Sequence, residues 1–447
     1  MSRIWLVFVI LISTNLFGQK LLTLDEAIKI ALQRNSNLIK SKNSLQVDKA
    51  NIKSAYGDLL PDLGIRGTWG WQRVNDAGGQ QIDYLGNPIE TPQTQTDTRN
   101  FSLSAGGNVV LFDGLANYSR ISQAENNLES AEFSLEKLKQ DIIYTTTSLY
   151  YLIISSEELV RVREDNVKFN QKLLEQIQER NKLGSIPIAD VYTQQVSVGN
   201  AQLLLIQAQN DWETAKNNFL NYLALDIFEN YSMVDPYNST NIGEEETLFK
   251  DFSNIESMVD DALNSRADLK SMKLNLSAAE KGETIAQSGL LPSLSGNYSY
   301  STSATKPNLL FDRETYNVGL TLSLPIFSNW STEANMQLAE VNKLNIQEDI
   351  LALERTIKIE VKESYLNLVA SKKQLEVTNS NIIAAKENRK VNNERYNLGS
   401  GTILDVLQSD KDYTQALRDN ISAKFQYYQN RDKLMNALGK LEIEKYN

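Results

Sequence analysis

The 447-residue chain contains no cysteine and no histidine. Their absence excludes disulfides, thiol nucleophiles, zinc sites of the Cys/His type and Ser-His-Asp triads. The chain also has no Gly-x-x-x-x-Gly-Lys-Ser/Thr phosphate loop, so it offers no route to nucleotide hydrolysis. The composition therefore predicts a protein that is not an enzyme, with no catalytic residue, no cofactor and no metal site.

Acidic residues outnumber basic ones, 56 to 45, and long apolar runs are scarce. The formal net charge is −11, and nucleic acid is not an expected partner because binding it depends on clustered Lys and Arg. The N-terminus has an apolar run from Ile4 to Ile12 after one basic residue. This run is too short to span a bilayer as a helix and is typical of a secretory signal peptide, which we predict over residues 1–18.

The chain repeats one unit with an offset of 215 residues. Leu-Gly-Ser followed by Asp-Val occurs at residues 183–191 and again at 398–406. Upstream, LLPDL at 59–63 corresponds to LLPSL at 290–294 with an offset of 231, so the first copy carries a longer insertion before Phe112. An internal repeat is strong evidence about architecture. The duplication predicts a first repeat over 19–225, a linker over 226–254 and a second repeat over 255–447.

Glycine and proline are absent from two long stretches, 115–183 and 326–398. Because either residue would interrupt a helix, these stretches permit helices of about 70 residues, roughly 100 Å long. The segment after each Leu-Gly-Ser has apolar residues at a heptad spacing, which predicts coiled-coil packing in water. In the first copy these residues are Val191, Val198, Leu205, Trp212 and Phe219, with alanine at 201, 208 and 215. We expect most acidic residues to lie on solvated helix faces.

Two hairpins precede the long helical stretches. Apolar and polar residues alternate over about 62–72 and 100–111 in the first copy, and over about 293–301 and 316–325 in the second. A period of two over this length, with aromatic residues towards the strand ends, matches an outer-membrane β-strand. A half-buried sheet of a soluble protein has the same period and remains the alternative. The signal peptide and the lack of membrane helices favour the membrane interpretation.

Four strands are too few to close a membrane barrel, since the smallest have about eight. Open strand edges are not tolerated in lipid, because each unpaired backbone group would be left without a hydrogen bond. If the hairpins lie in a membrane, several chains must therefore close one barrel together.

This layout resembles the outer-membrane efflux protein family, the TolC-like exit ducts, over residues 21–440. The resemblance is carried by the duplicated plan, the Leu-Pro before each hairpin, and the two Leu-Gly-Ser turns followed by Asp-Val. It implies a mainly α protein with β structure, in which each chain gives four strands to a 12-stranded trimeric barrel. A long α-helical coiled-coil tunnel and a small mixed equatorial region would continue the barrel. The implied location is the outer membrane of a Gram-negative-type bacterium, with the helices in the periplasm.

The family resemblance also implies a function and partners. The chain would be a passive exit duct of a tripartite efflux or type I secretion system, for small toxic compounds or for proteins. Its partners would be two further copies of itself, a periplasmic membrane-fusion adaptor, an inner-membrane pump of the RND or ABC type, and outer-membrane lipid. The alternative is an exported coiled-coil scaffold or adhesin without a channel, which would have no need of lipid-facing strands.

The turns between the helices carry the candidate site residues. By resemblance, Asp405 would line the narrowest point of the periplasmic gate, and Tyr396 would hydrogen-bond Asp190 to hold the gate shut. Gln408 and Gly401 depart from the family pattern, which has an aspartate and an arginine there. Asp405 also fits as the acid of a Thr402-x-x-Asp405 capping pair, and for it both readings stay open. Asp190, in a first helical turn, also suits the helix dipole. The expected adaptor-docking tips are Leu183, Gly184, Ser185, Leu398, Gly399 and Ser400, whose glycines also suit helix C-caps.

Overall fold

The computed structural model describes residues 20–236 and 254–446. The expected signal peptide and part of the expected linker lie outside the described residues. The chain divides into two compact units. The first comprises the described residues of Met1–Asn43, Phe133–Lys270 and Ala352–Asn447, and the second comprises Ser44–Glu132 and Ser271–Leu351.

The two halves of the chain contain the same series of helices. The helices of the first half are α1 (Leu24–Arg34), α2 (Ser36–Gly57), α3 (Ala116–Lys182) and α4 (Ile188–Tyr222). The helices of the second half are α5 (Ile255–Ser265), α6 (Ala267–Ser288), α7 (Ser331–Asn397) and α8 (Ile403–Ala437). Corresponding helices have equal lengths of 11, 22, 67 and 35 residues.

Small side chains are buried along the two 35-residue helices. The buried alanines of α4 are Ala201, Ala208 and Ala215, and those of α8 are Ala416, Ala423 and Ala437. A buried alanine lets a neighbouring helix approach closely, because its side chain ends at Cβ. Within residues 20–236 and 254–446, none of the helices combines the length and the apolar character needed to cross a membrane.

The strands form one larger sheet and two small pairs. They are β1 (Lys20–Leu22), β2 (Gly64–Asp76), β3 (Gly79–Ile82), β4 (Pro88–Thr91), β5 (Thr94–Phe112), β6 (Tyr231–Met233), β7 (Ser293–Ala304) and β8 (Glu314–Ser323). The larger sheet has the order β2-β5-β7-β8 and is antiparallel throughout. In the first hairpin, pairing continues past the sequence expectation to Asp76 opposite Thr94. The insertion of the first copy contains the short hairpin β3–β4.

Strands β1 and β6 form a parallel pair that the sequence analysis did not anticipate. The fully buried Tyr150 joins them to α3. Its hydroxyl accepts a hydrogen bond from the N–H of Val234 at 2.9 Å and lies 2.9 Å from the carbonyl oxygen of Leu22. Burial raises the pKa of Tyr150 to about 12, so the hydroxyl stays neutral and able to donate.

Candidate functional sites: the sheet faces and the helix tips

The register of the larger sheet places its apolar side chains on one face. Ile65 of β2 pairs with Ala105 of β5, which pairs with Tyr300 of β7, which pairs with Tyr316 of β8. Alternate residues along each strand share this face. The other large side chains on it are Trp69, Trp71, Phe101, Leu103, Val109, Leu294, Tyr298, Val318, Leu320 and Leu322. In the single chain this face is largely uncovered, and Val318 is 89% exposed.

The opposite face of the sheet carries mainly hydroxyl and amide side chains. Thr68 and Ser102 face each other across β2 and β5, with their side-chain oxygens 2.5 Å apart. The remaining polar residues of this face include Ser104, Asn108, Ser295, Asn297, Ser299, Ser301, Asn317 and Thr321. A sheet with one apolar face and one face of mainly uncharged polar residues suits a position between lipid and water.

Both outer strands of this sheet have an unpaired edge. β2 and β8 each have one neighbour in the strand order of the described residues. Aromatic residues lie near both ends of β8, where the rings of Tyr300 and Tyr316 are 5.1 Å apart and those of Phe327 and Trp330 are 5.8 Å apart. Aromatic residues at both ends of an apolar band are typical of membrane strands, where they sit at the headgroup level.

The first helix tip joins α3 to α4 through a glycine-based cap. Gly184 has φ +74°, a left-handed conformation that favours glycine. Its N–H donates to the carbonyl of Asn181 at 2.8 Å, and the N–H of Ser185 donates to the carbonyl of Arg180 at 2.9 Å. These two bonds form a Schellman motif, which satisfies carbonyls that the helix end would otherwise leave unpaired.

The second tip, between α7 and α8, repeats this geometry. Gly399 has φ +75°, and its N–H donates to the carbonyl of Tyr396 at 3.1 Å. The N–H of Ser400 donates to the carbonyl of Arg395 at 2.9 Å. The residue before each tip glycine points away from the protein, since Leu183 is 81% exposed and Leu398 is 83% exposed. The glycines are therefore helix caps, and the exposed leucines have no packing role within the described part of the chain.

Tyr396 belongs to an apolar cluster that joins the two tips. The other buried members of the cluster are Leu173, Ile177, Val191, Ile403 and Val406. The guanidinium of Arg180 lies 5.2 Å from the centre of the Tyr396 ring and donates to the Tyr396 carbonyl at 3.3 Å. A guanidinium over an aromatic face adds electrostatic attraction to the packing. The cluster thus fixes the end of α3 to the end of α7.

The hydroxyl of Tyr396 is buried and makes no hydrogen bond within residues 20–236 and 254–446. Burial raises the pKa of Tyr396, and the nearby Asp190 carboxylate raises it further, while Arg180 lowers it. Asp190 is half-buried in the first turn of α4. The two side chains are therefore neighbours, and Asp190 acts on the Tyr396 hydroxyl through its charge and through side-chain contact. The closing hydrogen bond implied by the family resemblance stays a prediction.

Asp405 is the third residue of α8 and completes a capping box with the N-cap residue Thr402. Its carboxylate accepts hydrogen bonds from the backbone N–H of Thr402 at 2.9 Å and from the Thr402 hydroxyl at 2.8 Å. In return, its own N–H donates to the Thr402 hydroxyl oxygen at 3.2 Å, which completes a capping box. The backbone hydrogen bond lowers the pKa of Asp405, so the carboxylate is charged at neutral pH. The capping interpretation of Asp405 is therefore confirmed, and its gate role stays a prediction.

The two departures from the family pattern have local explanations. A Cβ atom at Gly401 would lie 3.2 Å from both Arg395 Cβ and Tyr396 N, so a larger residue there requires the turn to shift. Gln408 donates to Asp412 at 2.8 Å along the surface of α8. Neither residue supplies the charge that the family pattern has at its position.

A buried carboxylate that the sequence analysis missed connects four helices. Asp410 of α8 is 3% exposed, and its Oδ1 lies 3.1 Å from Nη1 of Arg389 on α7. Its Oδ2 accepts hydrogen bonds from Asn166 at 2.8 Å and Asn170 at 3.2 Å, both on α3. Gln194 of α4 donates to the carbonyl and side-chain oxygens of Asn170. We call Asp410, Arg389, Asn166, Asn170 and Gln194 the Asp410 network.

In the Asp410 network, several contacts partly compensate the cost of burying the Asp410 carboxylate. Burial raises the pKa of Asp410, while Arg389 and the two asparagines lower it and only partly offset that effect. The Arg389 guanidinium lies 4.0 Å from the Tyr413 ring centre and 4.9 Å from that of Phe169. A cation held between two aromatic rings and a carboxylate has a single favoured position. The network therefore fixes the register of α3, α4, α7 and α8 relative to one another.

Known proteins match this chain over most of its length. A family model described as outer membrane efflux protein matches residues 27–224 and 258–440. The chain is 21% identical over 456 residues to outer membrane protein TolC of Escherichia coli strain K12, with 97% of this chain and 86% of the relative covered. It is 22% identical over 424 residues to the pyoverdine export outer membrane protein OpmQ of Pseudomonas putida, with 93% and 85% covered.

Solved structures share the fold. The outer membrane protein VceC of Vibrio cholerae superposes with a TM-score of 0.78 at 17% identity, covering 93% of this chain and 96% of that one. CusC superposes with a TM-score of 0.78 at 16% identity, covering 93% and 92%. The family model covers well over half of the chain, in two segments that each contain one copy of the Leu-Gly-Ser tip. The chain therefore belongs to the outer membrane efflux protein family, and it is a TolC-like transport protein of the outer membrane.

Proposed function

We propose that three copies of this chain form a passive exit duct across the outer membrane. The observation that carries the proposal is the sheet with one apolar face, one polar face and two unpaired edges. Four strands cannot close on themselves, and two chains would give about eight strands, whose interior side chains fill the space. Three chains give about twelve strands and leave an open lumen. The polar face would line this lumen and the apolar face would meet lipid.

Exposed apolar side chains on the long helices support this assembly. On α4 they recur on one side of the helix, and on α7 three of them lie at similar angles around the axis. The α4 residues are Ile188, Tyr192, Val196, Leu203 and Ile206, and those of α7 are Ile359, Leu366 and Val377; all are more than half exposed. Exposed apolar side chains that share one side of a helix favour association in water, and the sheet argument makes further copies of the chain the expected partner.

The cargo would move without chemistry in this chain. The described residues contain no group of three or more His, Cys, Asp or Glu side chains arranged to hold a metal ion. Energy would come from an inner-membrane pump of the RND or ABC type, in tripartite efflux or type I secretion. The relative OpmQ is a pyoverdine export protein, which supports an export role here. A scaffold or adhesin would leave the apolar face of the sheet without a purpose.

We further propose that the two tips dock a periplasmic membrane-fusion adaptor. Each tip presents an exposed leucine beside a rigid Schellman cap, and the arrangement occurs twice in the chain. An exposed apolar side chain on a rigid turn can bury against a partner with little loss of conformational entropy. The docking surface would comprise Leu183, Gly184 and Ser185 with Leu398, Gly399 and Ser400.

The double variant Leu183→Asp with Leu398→Asp tests both the docking surface and the duct. Neither leucine packs within the chain, so we expect normal assembly and a loss of about tenfold or more in drug resistance and adaptor crosslinking. The matched control is Leu85→Asp, since Leu85 is also exposed but lies in the β3–β4 loop. Resistance and crosslinking at the wild-type level in correctly assembled protein would contradict the docking proposal.

We also propose that the tips close the periplasmic end of the duct, with Asp405, Asp190 and Tyr396 near the constriction. The buried, unpaired Tyr396 hydroxyl beside Asp190 needs only a small shift to form a closing hydrogen bond. Tyr396→Phe prevents that bond from forming and keeps the ring, so it should raise the single-channel conductance in planar bilayers. Asp405 would make the constriction favour cations. If Tyr396→Phe changes the midpoint of thermal unfolding but not the conductance, the role of Tyr396 is limited to packing in the apolar cluster.

A further inference from the structure

A cavity of about 380 Å³ lies between α3, α4 and α8. Three basic side chains line it: Arg163 of α3, and Lys411 and Arg418 of α8. The only carboxylate among its lining residues is Asp410, which is already bonded to Arg389 and two asparagines. A chain with a net charge of −11 thus has a cavity with an excess of positive charge.

Arg163 is a buried cation without a counter-charge. It is 9% exposed and makes no hydrogen bond or ion pair within residues 20–236 and 254–446. Burial lowers its pKa, and the charge of Arg418 lowers it further, yet a guanidinium stays protonated in proteins. A buried charge is costly unless it is paired, so this position favours any anion that can reach it. Its neighbour Arg161, by contrast, pairs with Glu157 at 2.6 Å on the surface of α3.

The other two cations of the cavity are also without ion pairs in the described part of the chain. Arg418 donates only to the neutral Gln415, at 3.3 Å, and lies at the rim. The nearby carboxylates Asp412 and Asp419 line a different depression, against α7, and accept hydrogen bonds from glutamines. No acidic side chain of the cavity wall is therefore available to neutralise Arg163.

We infer that this cavity binds a small anion bearing a carboxylate or phosphate group. The fork of guanidinium N–H groups on Arg163 matches two oxygens of such a group, with Arg418 and Lys411 supplying further positive charge at the rim. Asn200, which also lines the cavity from α4, offers an amide donor. Most residues that line the cavity are polar, and its volume accommodates a small molecule. The site lies within one chain and does not depend on the proposed duct.

Calorimetric titration of the full-length protein in mild detergent tests the site. Inorganic phosphate and citrate serve as separate probes at constant ionic strength, with sodium chloride as the reference titrant. We expect saturable binding of at least one probe, at one site per chain. Arg163→Met, which keeps an apolar stem of similar length, should weaken that binding about tenfold or more. The matched control Arg161→Met, which removes an exposed and already paired arginine, should bind like the wild type.

Two results would overturn the inference. One is the absence of saturable binding of both probes to the wild-type protein, with no rise in its thermal midpoint beyond that in sodium chloride. The other is equal affinity in Arg163→Met and in the wild type. If Arg163→Met fails to assemble, the exposed Arg418→Gln variant takes its place, and wild-type affinity in that variant would equally contradict the site.

Discussion

Replacing Val318 with arginine is expected to prevent most of the protein from reaching its assembled state in the outer membrane. Val318 lies at the middle of β8 on the apolar face and is 89% exposed in the single chain. An arginine on the lipid face near the bilayer midplane costs about 2–4 kcal/mol per chain. On the surface of a water-soluble sheet the same change would be nearly neutral. Separation of outer membranes, followed by electrophoresis without heating, measures the assembled fraction.

The adjacent residue provides a matched control. Asn317 lies on the polar face of β8 and pairs with Ser299 of β7, whereas Val318 pairs with Tyr298. Asn317→Arg introduces the same side chain one position away, and we expect near-normal assembly because that face would meet water. Equal assembly of the two arginine variants would contradict a lipid-facing sheet and would favour the half-buried sheet of a soluble protein.

Asp410→Ala is expected to lower the stability of the first compact unit by about 3–5 kcal/mol, the range for breaking a buried charge pair. The variant leaves Arg389, Asn166 and Asn170 without their shared acceptor and creates a cavity. Thermal unfolding and hydrogen exchange of α8 amides measure the loss. The control Asp412→Ala removes an exposed carboxylate two positions away, and a change within about 0.5 kcal/mol is expected there. A similar small effect at Asp410 would show that the Asp410 network does not hold the helices together.

The pH dependence of the same site follows from the direction of its pKa shift. Folding raises the pKa of Asp410, because burial outweighs the attraction of Arg389. Protonated Asp410 therefore stabilises the folded state. This stabilisation is complete below the ordinary aspartate pKa of about 3.9, and it is lost as the pH rises through the raised pKa of the folded state. Asp410→Asn keeps the shape without titrating, so the stability advantage of the wild type over this variant should shrink from about pH 4 upward. If the stability advantage of the wild type instead grows with pH, folding lowers the pKa of Asp410 rather than raising it.

The repeat and the alternation allowed the strands to be placed from the sequence, because both are local patterns with a fixed period. The ends of the first hairpin strands differ between the prediction and the structure, and the difference has a physical reason. Apolar alternation stops near Arg73, but backbone pairing continues to Asp76 opposite Thr94. A bidentate contact between Arg73 and Asp97 spans this extension. Backbone hydrogen bonds do not require apolar side chains, so the alternating pattern underestimates the length of a strand.

The β1–β6 pair and the Asp410 network could not be read from the sequence. Strands of three residues are too short to show a period, and β6 joins β1 from more than 200 positions away. Asp410 resembles any other acidic residue of a charged helix, and its partners on α3 lie 240 and 244 residues before it. Its one local signal is its position four residues after the buried Val406, on the face that packs inward.

The tip residues show how one residue supports two interpretations. The sequence placed Gly184 and Gly399 correctly as helix caps, because a left-handed cap position favours glycine. The capping role of Asp405 is visible in its bonds to Thr402. Its role in a constriction depends on what surrounds it in the assembly, which a single chain does not contain. The docking and gating roles therefore stay predictions for the variants described above.

Native mass spectrometry of the purified protein in mild detergent tests the central claim most directly. The duct requires several chains, because the four-stranded sheet has two unpaired edges that lipid would not tolerate. We predict that the dominant species has the mass of three mature chains. A stable monomer or dimer as the dominant species in functional preparations would contradict the shared barrel, and with it the proposed exit duct.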